Sequence, residues 1–229
     1  MKWKQIQGWA ETHSVSSLVS YPSSVENCFD SITYAKKNNL TIIPVGSCYT
    51  FGDMILNEGN IVLNTSGMNK ILSWDKSTGI VVVEPGVKVA EILLISLPDN
   101  WVLSSIPGGL EITIAGAISN NVHGKDSWKV GNFGDRIISF KLLTSSGDII
   151  TVERSKNQNL FDAVVGGMGL IGIIVEITLQ LHKIPSAFVE FTNVPTKNIE
   201  ESLDALELSK KNHDFSIAWI DAFAKNSSL

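Results

Sequence analysis

His123 and Lys125 close the stretch 106–125, IPGGLEITIAGAISNNVHGK, and of all residues in the chain they are best placed to do chemistry. A histidine exchanges protons near neutral pH and can act as acid or base. A lysine beside it offers a point charge for an anion such as a phosphate. The residues leading up to them are small. Gly108, Gly109, Gly116 and Ala117 carry almost no side chain, so a ligand can come close to the backbone. Thr113, Ser119, Asn120 and Asn121 add short hydrogen-bonding groups. An apolar, glycine-rich run ending in a His and a Lys suits a flat, partly apolar cofactor. A tightly packed helix entry with an exposed His-Gly-Lys loop would read the same way, and the stretch alone leaves both open.

A second stretch, 45–53, reads Val-Gly-Ser-Cys-Tyr-Thr-Phe-Gly-Asp. A strand running into Gly46, Ser47, Thr50 and Gly52 can turn successive backbone N–H groups and hydroxyls onto a phosphate. The G-x-G-x-x-G spacing of the dinucleotide fingerprint is absent, and no long helix follows at once. An ordinary surface loop is the alternative. Another glycine-rich crossing, GGMGLIG at 166–172, runs into an apolar segment. His13, His182 and His213 have no carboxylate or cysteine partners at ligand spacing, so no metal site is expected.

Composition narrows the class. The chain has 229 residues, 44% hydrophobic and 18% charged, which suits a globular protein with a sizeable core. A net charge of −5 without a basic block argues against a nucleic-acid surface. No apolar run approaches the length of a bilayer span, and MKWKQIQGWAETHS lacks the apolar stretch of a signal peptide. Cys28 and Cys48, the only cysteines, are therefore expected to be reduced thiols in a cytoplasmic protein.

The elements that must position these residues are short. Ser23-Ser24 supplies an N-cap, and apolar residues at helical spacing predict a helix over 25–38 with Cys28 in its core face. Strands are predicted at 41–45, 61–64, 80–83 and 173–181, and helices at 89–97 and 160–164. Segments 136–143 and 149–152 flank Ser-Ser-Gly-Asp, a hairpin signal. Residues 1–21 read as an irregular lead-in. Beyond Pro185 the pattern predicts a strand at 187–193, a helix at 197–210 and a strand at 215–220. Residues 1–184 mix short strands and helices, which is α+β rather than a regular βαβ succession. Residues 186–229 are too few to bury a core alone and read as the start of a second domain.

Taken in order, the motifs resemble those of flavoproteins of the vanillyl-alcohol-oxidase/p-cresol-methylhydroxylase (PCMH) type. The carrying residues are 46–53, Pro107-Gly108 with 113–116, 120–125, Asn132-Phe-Gly134, 165–174 and the segment 218–222. Within that superfamily the chain is most similar to the decaprenylphosphoryl-ribose oxidase branch, a neighbour of the sugar-lactone and alditol oxidases. The resemblance implies a two-part α+β FAD-binding domain over 1–184, followed by the first β-α-β part of an incomplete substrate domain over 186–229. It implies that Pro44, Val45, Gly46, Ser47, Cys48, Tyr49, Thr50, Phe51, Gly52, Asp53 and Met54 hold the FAD pyrophosphate through the loop backbone. Gly108, Thr113, Ile114, Ala115 and Gly116 would line the dinucleotide, and Asn120, Asn121, Val122 and His123 would pass beside the isoalloxazine ring. Ile174 would meet the cofactor through its backbone, and Lys125 would face the substrate. The implied reaction is oxidation of a sugar-type alcohol by hydride transfer to flavin N5, with His123 relaying the proton or only packing against the flavin.

The chain departs from the family pattern at several points. Cys48 stands where the phosphate loop usually has a second glycine, Thr50 replaces a serine, and Ala115 replaces one glycine of a Gly-Gly pair. Tyr49 occupies the place of the histidine that carries the flavin in covalently linked relatives, so non-covalent FAD is expected. Relatives are about twice as long. The chain is therefore expected to be a fragment, a split gene, or the partner of a second chain that supplies the remaining half. Its alone-standing form is then a flavin-dependent sugar oxidoreductase's FAD-binding half, or a catalytically incomplete flavin-binding remnant. An α+β interaction domain without cofactor is the remaining alternative.

Overall fold

The computed structural model describes residues 1–221 and Phe223. Ala222 and residues 224–229 lie outside the described residues, and with them the last position of the 218–222 match and the polar tail.

The chain runs through β1 (Lys2–Gln7), β2 (Ser14–Ser20), α1 (Val25–Lys37), β3 (Ile42–Val45), β4 (Ile61–Asn64), β5 (Ile71–Asp75) and β6 (Ile80–Val83). It continues through α2 (Val89–Ser96), β7 (Trp101–Val102), α3 (Ile114–Ser119), α4 (Ser127–Val130), β8 (Ile137–Leu143) and β9 (Ile149–Glu153). α5 (Gln158–Val164), β10 (Ile173–Gln180), β11 (His182–Lys183) and α6 (Ile199–Ser209) complete it. One sheet has the order β1-β2-β4-β3, with β2 and β3 each parallel to β4. The other has the order β5-β6-β10-β8-β9 and is antiparallel throughout. This is an α+β fold, as the mixture of short elements predicts.

Local chemistry explains the elements that the pattern foresees. The Ser24 side chain accepts the Asn27 N–H at 3.3 Å and starts α1, which buries Cys28, Ser31, Ile32 and Ala35. The β8–β9 hairpin turns through Gly147 at φ +99°, where glycine carries no steric cost. α1 packs Cys28 and Ile32 onto Leu63 of one sheet and onto Leu143, Ile173 and Val175 of the other. The two sheets therefore share a core. Phe140 of β8 and Phe161 of α5 meet at 5.3 Å between ring centroids, in the same core as Ile114, Ala117 and Ile118 of α3.

Three expectations are corrected. The lead-in 1–21 is two strands, β1 and β2, paired antiparallel from Lys2↔Val19 to Gln7↔Ser14. β1 is exposed along its edge, so burial left no apolar alternation in its sequence. β2 is internal to its sheet, and its serines are satisfied by tertiary bonds: Ser17 Oγ donates to Asn57 C=O at 2.8 Å, and Ser20 Oγ lies 2.9 Å from Ser31 Oγ. The segment 71–75, unassigned from sequence, is β5, an edge strand with a register shift between Ile71 and Ser73. The β-α-β piece beyond Pro185 is helix only: α6 forms, whereas 187–193 and 215–220 carry no strand. An extended segment becomes a strand only through a ladder of hydrogen bonds to a neighbour; among the described residues 187–193 pairs with no strand, and 215–220 makes a single backbone bond, from Ser216 N–H to Lys125 C=O at 3.1 Å.

No helix among the described residues is long and apolar enough to cross a membrane.

Candidate functional site

β3 delivers the chain into the cradle stretch at the edge of the four-stranded sheet. Pro44, Val45 and Gly46 open a cleft there, and Thr50, Met54 and Ile55 continue its wall. α3 forms the facing wall with Ala115, Gly116, Ser119 and Asn120. Thr65, just past β4, and the crossing residues Met168, Gly172 and Ile174 close it. The structure thus joins the small-residue stretch and the cradle stretch, which lie far apart in sequence, in one concavity.

The walls are bonded to one another. Thr113 caps α3 by accepting the Gly116 N–H at 3.2 Å, and its hydroxyl also lies against Gly46. Ser119 C=O accepts the Met168 N–H at 2.8 Å, and Ile118 C=O accepts the Gly166 N–H at 3.0 Å. Gly169 lies on Pro44, where a β-carbon would come within 3.0 Å of Pro44 Cγ. Beside Ile174 the β10–β8 register shifts before Glu176, which interrupts the ladder next to the cleft.

Electrostatically the cleft offers hydroxyls and amides rather than charge: among the described residues no Lys or Arg lines it. Thr50 Oγ1 is buried and has no hydrogen-bond partner, and Thr50 is a residue of this wall. A buried hydroxyl without a partner is costly. On one rim Lys88 pairs with Glu111 at 2.6 Å, and that pairing raises the Lys88 ammonium above its ordinary pKa.

The remaining candidate residues fall into groups. Ser47 turns away from the cleft and donates to Glu111 C=O at 2.6 Å. Cys48 is held at φ +60°, in the left-handed region. Burial pushes its thiol pKa up. Tyr49 stacks on Trp9, while Phe51 and Gly52 are exposed. Asp53 borders an adjoining groove that shares Met54 and Met168 with the cleft. Gly108 is exposed with open space on its side-chain face, whereas Ile114 is fully buried in the core, so only its backbone can serve a ligand.

Asn121, at φ +42°, accepts the Gly134 N–H at 3.1 Å, and Val122 is held by backbone bonds to Ala117 and Phe133. His123 and Lys125 are exposed and stand outside the cleft wall. Their turn is seated on Ser105 and Ile106: a β-carbon at Gly124 would fall 2.6 Å from the Ile106 nitrogen. Asp126, buried beneath that turn, accepts the Ser105 N–H at 3.0 Å through Oδ2. The segment after α6 reaches the same loop, where Ser216 N–H donates to Lys125 C=O at 3.1 Å and Asp214 pairs with Lys129. That pairing lowers the Asp214 carboxyl below its ordinary pKa.

Ile55, Thr65, Met168 and Gly172 line the cleft without having been singled out from sequence as cofactor contacts. The glycine spacing at 166–172 signals a tight crossing, and a crossing that abuts α3 is a wall of whatever α3 lines.

The chain is similar to known proteins over most of its length. The family described as FAD binding domain matches residues 16–153. Decaprenylphosphoryl-beta-D-ribose oxidase of Mycolicibacterium smegmatis is 30% identical over 229 residues, covering 99% of this chain and 50% of that protein. L-gulonolactone oxidase of Mus musculus is 26% identical over 220 residues, covering 95% of this chain and 49% of that protein. The chain thus spans about half the length of the relatives it matches. Among solved structures, 6-hydroxy-D-nicotine oxidase of Arthrobacter nicotinovorans superposes with a TM-score of 0.71 at 24% identity, over 77% of this chain and 39% of that one. BBE-like 1 of Physcomitrella patens does so with a TM-score of 0.68 at 24% identity, over 74% and 37%. The fold class and the flavoprotein resemblance read from the motifs are borne out.

Proposed function

This chain belongs to the FAD-binding domain family, and on that premise we propose that it is the FAD-holding part of an oxidoreductase that oxidises a sugar-type alcohol by hydride transfer to the flavin. The observation that carries the reading is Thr50 Oγ1, a buried hydroxyl without a partner in a cleft walled by small residues. When bound, the flavin supplies the two-electron redox chemistry. The protein's share is position. The 44–54 loop and α3 offer amides and hydroxyls to the pyrophosphate, with Thr50 as the side-chain donor. Gly46 and Gly116 let the loop and α3 close onto Thr113, since a β-carbon would fall 2.1 Å (Gly46) or 2.9 Å (Gly116) from Thr113 Oγ1. His123 is the proton acceptor for the substrate hydroxyl, and Lys125 faces an anionic group of the substrate. Attachment is non-covalent, because Tyr49 stands where covalently linked relatives carry a histidine; yellow chromophore in an acid-precipitated pellet would contradict this. The cofactor domain comprises 1–184, and 186–229 begins the substrate side.

A second reading, a flavin-holding subunit that turns over only with a second chain, is supported by the match to half of each relative's length. Both readings require a competent FAD seat. The purified chain, mixed with FAD and desalted, should keep absorbance bands in the blue and near-ultraviolet. A colourless protein that is folded by circular dichroism would sink both.

A further inference from the structure

We propose that Trp9 is a positioning residue of the cofactor loop: the turn between β1 and β2 clasps residues 49–52 and so holds Thr50 in the cleft wall. The inference rests on reading that cleft as the FAD seat. The turn closes on itself through Glu11 N–H donating to Gly8 C=O at 3.1 Å. Trp9 N–H then donates to Thr50 C=O at 2.7 Å, and the Trp9 indole stacks on the Tyr49 ring with centroids 4.5 Å apart and planes 21° from parallel. Gly8 allows this approach, since a β-carbon there would lie 2.7 Å from Thr50 O and 2.9 Å from Gly52 O.

The clasped loop has little else to hold it. Phe51 and Gly52 are exposed, and Cys48 sits in a left-handed conformation. Among the described residues, the Trp9–Thr50 bond is the backbone bond that ties 48–52 to a distant part of the chain. Trp9 itself is 55% exposed, so core packing does not account for its placement. What it covers is the loop. The matched family region begins at residue 16, so this turn lies outside it.

The test compares wild type, Trp9→Ala and Trp9→Phe in the full chain. Amide hydrogen exchange without cofactor should accelerate about tenfold at 48–52 in Trp9→Ala, with β10 unchanged. FAD affinity, read by flavin fluorescence quenching, should fall about three- to tenfold, the range expected for losing one aromatic stack. Trp9→Phe should restore most of both, because a phenyl ring still stacks on Tyr49. Unchanged loop exchange, acceleration spread equally over β10, or unchanged FAD affinity in Trp9→Ala would each overturn the proposal. A wild-type chain that does not retain FAD removes the proposed function, and the clasp is then decided by the exchange pattern alone.

Discussion

Gly46 approaches Thr113 so closely that a β-carbon at position 46 would fall 2.1 Å from Thr113 Oγ1. The same oxygen caps α3 by accepting the Gly116 N–H at 3.2 Å. A β-carbon at Gly116 would lie 2.9 Å from it. One buried hydroxyl therefore sets the spacing between the cradle loop and the helix that faces it.

Gly46→Ala should consequently widen the cleft or displace Thr113. Overpacking of this kind costs about 1–3 kcal/mol, readable by urea denaturation, and FAD retention should fall with it. Thr113→Ala alone should cost about 1 kcal/mol through the lost cap. The two residues touch, so their effects should not add. Gly46→Ala/Thr113→Ala should be less destabilised than the sum of the single variants. Additivity would mean that the contact does not set the spacing.

Cys48 holds φ +60°. A left-handed conformation costs a residue with a β-carbon about 1–2 kcal/mol, whereas a glycine adopts it freely but loses more chain entropy on folding. Cys48→Gly should therefore stabilise the chain by about 0.5–1 kcal/mol, the difference between these effects. FAD should bind at least as tightly, because the loop keeps its path. A destabilised variant would show that the half-buried thiol contributes packing that outweighs the backbone relief.

Much of the fold was legible because its signals are local. The Ser24 cap, the spacing of Cys28, Ile32 and Ala35, and the glycine of the 144–148 turn each act within a few residues. β1 and β2 were illegible because their partners, not their own residues, make them strands: Ser17 and Ser20 sit in an internal strand only because Asn57 and Ser31 satisfy them. The segment 187–193 shows the converse, since Phe188, Val189 and Phe191 read as a strand yet stay exposed without a ladder. In the cleft, the walls carried by Gly46 and Gly116 announce themselves by lack of bulk. Thr65 and Met168 do not, because only tertiary contacts such as the Met168 N–H bond to Ser119 C=O bring them to the site.

Cys28 gives the fold an alkaline limit. Burial pushes its thiol from 9.0 to about 12, with the nearby Glu26 carboxylate adding to the shift. A raised folded-state value means that the unfolded chain releases the proton first. The contribution is complete below pH 9 and is lost as the pH rises towards 12. Stability should fall with a slope of up to about 1.4 kcal/mol per pH unit from this group. Lysines and tyrosines titrate in the same window, so the diagnostic quantity is the difference from Cys28→Ala, whose unfolding midpoint should fall less steeply above pH 9. Parallel pH profiles would assign the alkaline loss to other groups.

Asp126 holds the seat of the His-Gly-Lys turn. Its Oδ2 accepts the N–H of Ser105, itself at φ +57°, and its buried Oδ1 has no partner. Asp126→Ala would leave the Ser105 N–H buried and unbonded, at a cost of about 1–3 kcal/mol. Asp126→Asn keeps an acceptor oxygen and replaces the unpartnered carboxylate oxygen with an uncharged amide, so it should be neutral or mildly stabilising. Denaturation of both variants decides this. An Asn variant as unstable as the Ala variant would show that the negative charge itself is needed.

His123 lies outside the cleft wall, on a turn fixed from beneath by Gly124 and Asp126. The proposed proton-transfer role and a cofactor-holding role for His123 separate into two measurements. FAD retention by His123→Ala should stay within about twofold of wild type, since no wall contact is lost. In a preparation that turns over with substrate, flavin reduction followed by stopped-flow absorbance should slow about 100-fold or more, the usual loss for a general base. Equal losses in binding and reduction would make His123 a packing residue of the cofactor. Unchanged reduction would assign the proton transfer to another group.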